Sequence, residues 1–349
     1  MKRKYAAILI IVVVVGTGSF LWNHFINSDP ASAELKQMVT DSASSTFSVK
    51  KWEEADKYSK KAMKFKEKDE LMSSGNEFAV TGVKLKAPYG IACLSEGILL
   101  ADHGENCLYL IDYSGNLVRK IGELGNGPNQ FQKPTGCTYH NGYYYVIDSG
   151  NKRIVILDRQ FNYTKKLKLP KSEREPEKEF TDIAINDKGD IYISGSYLYD
   201  SGLYRYNLEK DKFENVQKYF YGSLKEFGGE VYAVDQFRIY VDFEKKEITG
   251  GAGPNALWKL DGRNIKKLSN LPAGLNAGSF ELLRDSLIIC SPFHSAVMVF
   301  NMKNGKYMSN IYEVDKMDYK TYASIYGSDL YITEPEKGKI LKISLEKLQ

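Results

Sequence analysis

The strongest constraint on this chain is a phrase that it repeats. "ADHGENCLYLIDYSGN" at Ala101–Asn116 and "IDSGNKRIVILDRQFN" at Ile147–Asn162 share one plan: an Asp after an apolar run, a Gly and an Asn in a short turn, a second apolar run, then another Asp. Aligning the second strand-like run of each unit extends the plan. "ILLAD" ends at Asp102, "YYVID" at Asp148, "IYISG" at Gly195, "VYAVD" at Asp235, "LIICS" at Ser291 and "LYITE" at Glu334. The steps between these ends are 46, 47, 40, 56 and 43 residues, the length of a four-stranded propeller blade. The turn sequences "SEG", "HNG", "NDKG", "FGG", "RDS" and "YGSD" precede the second strands. "DYSGN", "NLEKD", "LDGRN" and "MKNGK" separate third strands from fourth. Leucine-rich or helical repeats would need helical segments inside each unit, and the units contain none. The expected fold is therefore all-β, a six-bladed β-propeller over residues 77–349.

A lone blade cannot bury both faces, so blades stack and the ring must close. After "GKILKISLEKLQ" (Gly338–Gln349) there is no room for a full fourth strand in the last blade. "EFAVTGVKLK" (Glu77–Lys86) has the alternation to supply it from the other end of the chain.

The amino-terminal part follows different rules. Lys2, Arg3 and Lys4 precede an uncharged apolar run from Tyr5 to Trp22. Eighteen helical residues span roughly 27 Å, enough to cross a bilayer. Basic residues before the span keep the start cytoplasmic and export the rest. The expected layout is a basic tail at 1–4, a transmembrane signal-anchor at 5–26, a charged helical stalk at 27–76, and the propeller outside the cell membrane. "ASA" (Ala31–Ala33) offers the alternative of a cleaved signal peptide and a secreted domain. In the stalk, "VKKWEEADKYSKKAMKFKEKDELM" places Trp52, Ala55, Tyr58 and Ala62 at helical spacing among mixed charges.

Composition adds exclusions. A formal net charge of +4 is too small to point to nucleic acid. Four cysteines, with no CxxC pair, argue against a disulfide or zinc framework, and a single Cys93–Cys107 bridge stays open. Tyr is abundant at 25 residues, which suits strands and half-wet binding surfaces.

"NGPNQFQKPTG" (Asn126–Gly136) followed by "YYYVIDSGNKRIVILD" (Tyr143–Asp158) resembles an NHL repeat, with its Gly-Pro-x-x-Phe linker, Pro-x-Gly first strand and Asp-x-Gly-Asn-x-Arg-Ile turn. The preceding unit is similar, and the later four keep the period but lose the signature. The resemblance implies a six-bladed propeller of the NHL type. The fold alone does not assign a function, because it serves enzymes, receptors and scaffolds. Asp102 and Asp148, at the ends of second strands, read as turn-holders.

In such a ring the first strands line the central channel. Their starting positions carry Gly90, Gly136, Gly222, Gly278 and Ala323, with Asp182 as the exception. Asp182 is either a ligand-facing carboxylate or a holder of a loop amide. The loops between second and third strands lie on what is taken as the upper face. Among them, "SYLYDSG" brings Tyr197 and Tyr199, and the insertion Phe237–Asn255 brings Phe237 and Tyr240, with an alternation that reads as an extra hairpin. Phe293 lies in the matching loop of blade five. These residues, with Asp182, form the expected binding set for a protein partner or a cell-surface polysaccharide or peptide, with no cofactor. Bacterial receptor-type NHL domains are similar in layout. A second reading is a metal-dependent lactonase or lyase, which the resemblance to related propellers implies. His103 and His294, with Asp182 or Glu281, would then hold a divalent cation such as Ca or Zn. No third upper-face His, Gly-x-Ser-x-Gly, Walker loop or HExxH is present.

Overall fold

The computed structural model describes residues 48–50, 73–171, 179–196, 201–218, 220, 222–235, 238–242, 247–251, 255–272, 275, 277–292, 294–314, 316–318 and 320–348. The anchor at 5–26 and nearly all of the stalk lie outside these residues. Within the stalk range, Ser48–Lys50 is a strand and Gly75–Glu77 another. Among the described residues no helix is long and apolar enough to cross a membrane.

The chain divides into two compact units. The larger contains six four-stranded sheets, so it is a six-bladed propeller. Blade one comprises Pro88–Leu94, Gly97–Asp102, Cys107–Ile111 and Leu117–Ile121, each antiparallel to the next. The other five repeat that order, with first strands at Pro134–His140, Glu179–Ile185, Gly222–Phe227, Ser279–Leu283 and Ala323–Tyr326.

The second strands read as unbroken apolar runs because each is covered on both sides. Successive side chains point to opposite faces of a strand. In blade one, Leu99 and Ala101 join the cluster shared with blade two, while Ile98 and Leu100 join the one shared with blade six. All four are fully buried. Six such clusters fill the six gaps between neighbouring blades. Truncating one of these side chains to Ala costs about 2–5 kcal/mol.

The ring closes with a strand from the amino-terminal side, as expected, but in a different register. Gly75–Glu77 pairs with Lys339–Ser344 (Asn76 opposite Lys342), and the Phe78 N–H reaches the Ile340 carbonyl at 2.7 Å. The residues that follow, assigned to this strand from their alternation, instead cross to blade one. There the Thr81 N–H donates to the Gly115 carbonyl and the Leu117 N–H to the Thr81 carbonyl. Gly115 has φ +92°, and a Cβ on it would meet the Ala79 carbonyl at 1.9 Å, so the crossing needs glycine at that turn. Side-chain hydroxyls join neighbouring blades around the ring: Thr135 to the Phe180 carbonyl (2.6 Å), Ser194 to that of Gly222 (2.9 Å), Ser223 to that of Gly278 (3.0 Å) and Thr333 to that of Tyr89 (3.0 Å).

The smaller unit includes the insertion. Arg238–Asp242 and Glu247–Gly251 form an antiparallel hairpin, the one expected from the alternation. Ser48–Lys50 adds a third strand, parallel to the second, with Val49 opposite Ile248. Blade four pairs Glu230–Asp235 directly with Ala256–Asp261 and is complete without the insertion.

Candidate functional site: the axial channel

The repeated phrase is structural. Asp102 Oδ2 accepts the Lys86 N–H (2.8 Å), and its Oδ1 accepts those of Ala87, Gly104 and Glu105 (3.0 Å each). Asp148 does the same for the Gln132 N–H (2.7 Å) and also holds Asn151 and Arg153 (both 2.8 Å). Arg153 in turn donates to the carbonyls of Asn126, Gly127 and Gln130, each at 2.8 Å. The Gly-Pro-x-x-Phe linker is therefore the partner of the turn Arg. The second Asp of the phrase repeats its own geometry: Asp112 caps the N–H groups of Ser114 and Asn116, and Asp158 those of Gln160 and Asn162, all at 2.8–2.9 Å. Residues Asn106, Lys152 and Ser295, each directly before a third strand, have φ of 57°, 53° and 49°, so the turn conformation recurs in blade five without the signature.

The chemistry collects on the axis. Small residues at the starts of the first strands let the backbones converge: a Cβ on Gly90 would meet the Thr135 carbonyl at 2.1 Å. Further along, the same strands surround a cavity of about 230 Å³, with Cys93, Asp182, Lys225, Glu281 and Ser324 on its wall. Lys225 Nζ pairs with Glu281 Oε1 at 2.9 Å, with side-chain exposures of 17% and 12%, and also donates to the Ala323 carbonyl. Asp182 accepts the Leu224 N–H at 2.9 Å and the Ile183 N–H at 3.0 Å. Asp182 thus ties blade three to blade four through strand amides and lines the channel.

Burial pushes the carboxyls of Asp182 and Glu281 above the usual range, opposed by Lys225. Burial alone would lower Lys225, but Glu281 and Asp182 reverse that and hold its ammonium above the ordinary value. Burial raises the thiols of Cys93 and Cys137 to about 12, so both stay protonated. All four cysteines are free, Cys93 and Cys107 included.

At the upper end, His103 stacks on Tyr89 with ring centroids 4.4 Å apart. Lys320 Nζ lies 5.2 Å from the Tyr89 ring centroid and pairs with Glu179 at 3.2 Å. Glu179 begins blade three and Lys320 precedes blade six, which are opposite members of a six-membered ring, so this ion pair crosses the axis. Burial, with Lys320 and Lys133 nearby, moves the His103 pKa down against the pull of Glu179. Its Nδ1 is buried without a hydrogen-bond partner.

His294 belongs to blade five. Ser291 Oγ donates to the Leu275 carbonyl at 2.6 Å and lies 2.9 Å from His294 Nδ1. The one hydroxyl proton being used, Nδ1 is the donor in that contact. Burial lowers the His294 pKa from 6.5 to about 4.

Among the described residues no group of three or more His, Cys, Asp or Glu is placed to hold a metal ion. His103 stacks on Tyr89, His294 contacts Ser291, and Asp182 holds amides of blades three and four. Tyr197, Tyr199, Phe237 and Phe293 lie outside the described residues. Tyr240 is on the insertion hairpin, opposite Thr249. Lys225 was missed by the sequence reading. Its signal was positional: three residues beyond the glycines that start strands in blades one, four and five stand Cys93, Lys225 and Glu281.

A family model described as a 6-bladed beta-propeller matches residues 82–227. No curated protein matches the chain. Among solved structures it is similar in fold to a luciferin-regenerating enzyme (TM-score 0.54, 11% identity, covering 78% of this chain and 95% of that one). It is also similar to a virginiamycin B lyase from Staphylococcus aureus (0.52, 15%, 78% and 99%). A third is a protein of unknown function from Bacteroides thetaiotaomicron (0.53, 13%, 78% and 72%). At these identities the likeness is one of fold: the chain is a six-bladed β-propeller.

Proposed function

We propose that this propeller is a binding module, anchored by its amino-terminal segment outside the cell membrane, that recognises a surface polymer or protein through loops between second and third strands. The observation that carries this reading is the insertion in blade four. It forms a separate three-stranded sheet with Ser48–Lys50, while the blade that carries it is complete. An element that the scaffold does not need is the usual place for recognition. The signature of blades one and two, the NHL-like part, is consumed in holding turns and linkers together. The alternative of a metal-dependent lactonase or lyase has no assembled ligand set to support it among the described residues.

The test is deletion of residues 237–254 from the full chain, followed by co-sedimentation with isolated cell-envelope polymer and surface plasmon resonance against solubilised envelope proteins. The intact chain is expected to bind and the deletion to lose binding. Equal binding by both, or binding by neither, overturns the reading. Peptides from Asn23–Ala33 in the mature protein would support the anchor, and a mature start at Glu34 would replace it with a secreted domain.

A further inference from the structure

We propose that the axial cavity is a binding site for a primary ammonium group on a short alkyl chain, reached from the face of the first-to-second-strand turns. This goes beyond the loop-based recognition above and uses neither the insertion nor its partner strand.

The access follows from how the first strands cross the ring. Above the cavity, the Lys320–Glu179 pair spans opposite blades, with the Tyr89 ring 5.2 Å from Lys320 Nζ and the Tyr322 ring 5.8 Å from that of Tyr89. Below, the wall runs to Leu94, Tyr139, Glu226 and Ile325, at or near the ends of their strands, and Glu226 is exposed. The cavity therefore opens on the face of the first-to-second-strand turns.

The charge follows from the wall. Lys225 supplies one positive charge, and Asp182 and Glu281 supply two negative ones. The thiols of Cys93 and Cys137, held up to about 12, add none. Glu226 on the rim adds a further negative charge. The ammonium of Lys225 is taken by Glu281 and the Ala323 carbonyl, so it has little left for an anionic ligand. Asp182 uses one bond per oxygen, and a carboxylate oxygen accepts two. A monocation with donor hydrogens completes that set. Its alkyl part meets Leu94 and Ile325, and Tyr139 and Tyr322 bring aromatic surface, a common companion of ammonium groups.

The ammonium could come from a free amine or from a lysine side chain of a polypeptide, and one titration series separates them. The full chain is titrated calorimetrically with n-butylammonium chloride, and with butan-1-ol and sodium butyrate as uncharged and anionic matches at constant ionic strength. A second arm uses the blocked peptide acetyl-Gly-Lys-Gly amide. Saturable one-to-one binding of butylammonium is expected, at least tenfold tighter than of either match. Glu281→Gln should weaken it at least tenfold, and Lys225→Met, which removes the competing cation, should strengthen it. Tighter binding of the peptide assigns the site to a lysine-bearing partner, and weaker binding assigns it to a free amine. No saturable butylammonium binding, equal binding of butyrate, or weaker binding by Lys225→Met overturns the proposal. Should Glu281→Gln fail to fold, the ion series and Lys225→Met decide. The 237–254 deletion separates the two readings, because it should leave butylammonium binding unchanged.

Discussion

Arg153 in blade two and Lys225 in blade four are both cations set against buried carboxylates, yet their surroundings differ. Arg153 spends its donors on Asp148 and three linker carbonyls, and the pair has side-chain exposures of 8% and 0%. Lys225 is also held by a carboxylate and a carbonyl, but its pair faces a cavity, at 17% and 12%. A saturated cation fastens the scaffold. A cation beside spare acceptors and empty volume leaves room for a ligand.

The comparison predicts a ranking of effects. Arg153→Ala strands a buried carboxylate and three carbonyls, and should destabilise by about 3–5 kcal/mol in urea unfolding. A change under about 1 kcal/mol would mean that the linker is held by other contacts.

The next effect is a titration. His294 sits at about 4 in the folded chain against 6.5, so between these values the unfolded state binds more protons. Stability is then fully present above pH 6.5 and is lost as pH falls towards about 4, by about 3 kcal/mol in all. His294→Asn should flatten that part of the pH profile, and an unchanged slope would refute the assignment.

Lys225→Met should cost less than Arg153→Ala, at most about 2 kcal/mol, because its carboxylates border a cavity that water can enter and take up a proton only as pH falls. Asp182 and Glu281 have raised pKa values. The folded state therefore binds more protons than the unfolded one above their ordinary values, and their contribution declines as pH rises through that window. The variant should accordingly lose more stability at pH 8 than at pH 5, measured by thermal melting. A loss as large as that of Arg153→Ala would erase the distinction between the two cations.

Smallest of all, deleting 237–254 should leave the melting midpoint nearly unchanged. A large drop would make the insertion part of the core.

Much of the fold was legible because it depends on local rules. The apolar second strands, the turns before them and the spacing of Asp102, Asp148 and Asp235 announce a blade, and six spacings announce the ring. The closing strand was legible in kind but misplaced. The alternation of residues 77–86 looks like a strand wherever it lies, and its pairing depends on which neighbour it meets. In the channel, Asp182 stood out because it broke a run of small residues, whereas Lys225 sits in an ordinary alternating strand, "GSLKEF", where an exposed lysine would look the same.

By itself, then, the sequence determined the repeat, the blade count and the structural role of the Asp and Arg turn residues, since these interactions join residues at most 27 positions apart. Only the tertiary structure decided which side chains meet on the axis. Asp182, Lys225, Glu281 and Ala323 come from four successive blades, and only the packing of those blades around one axis brings them together.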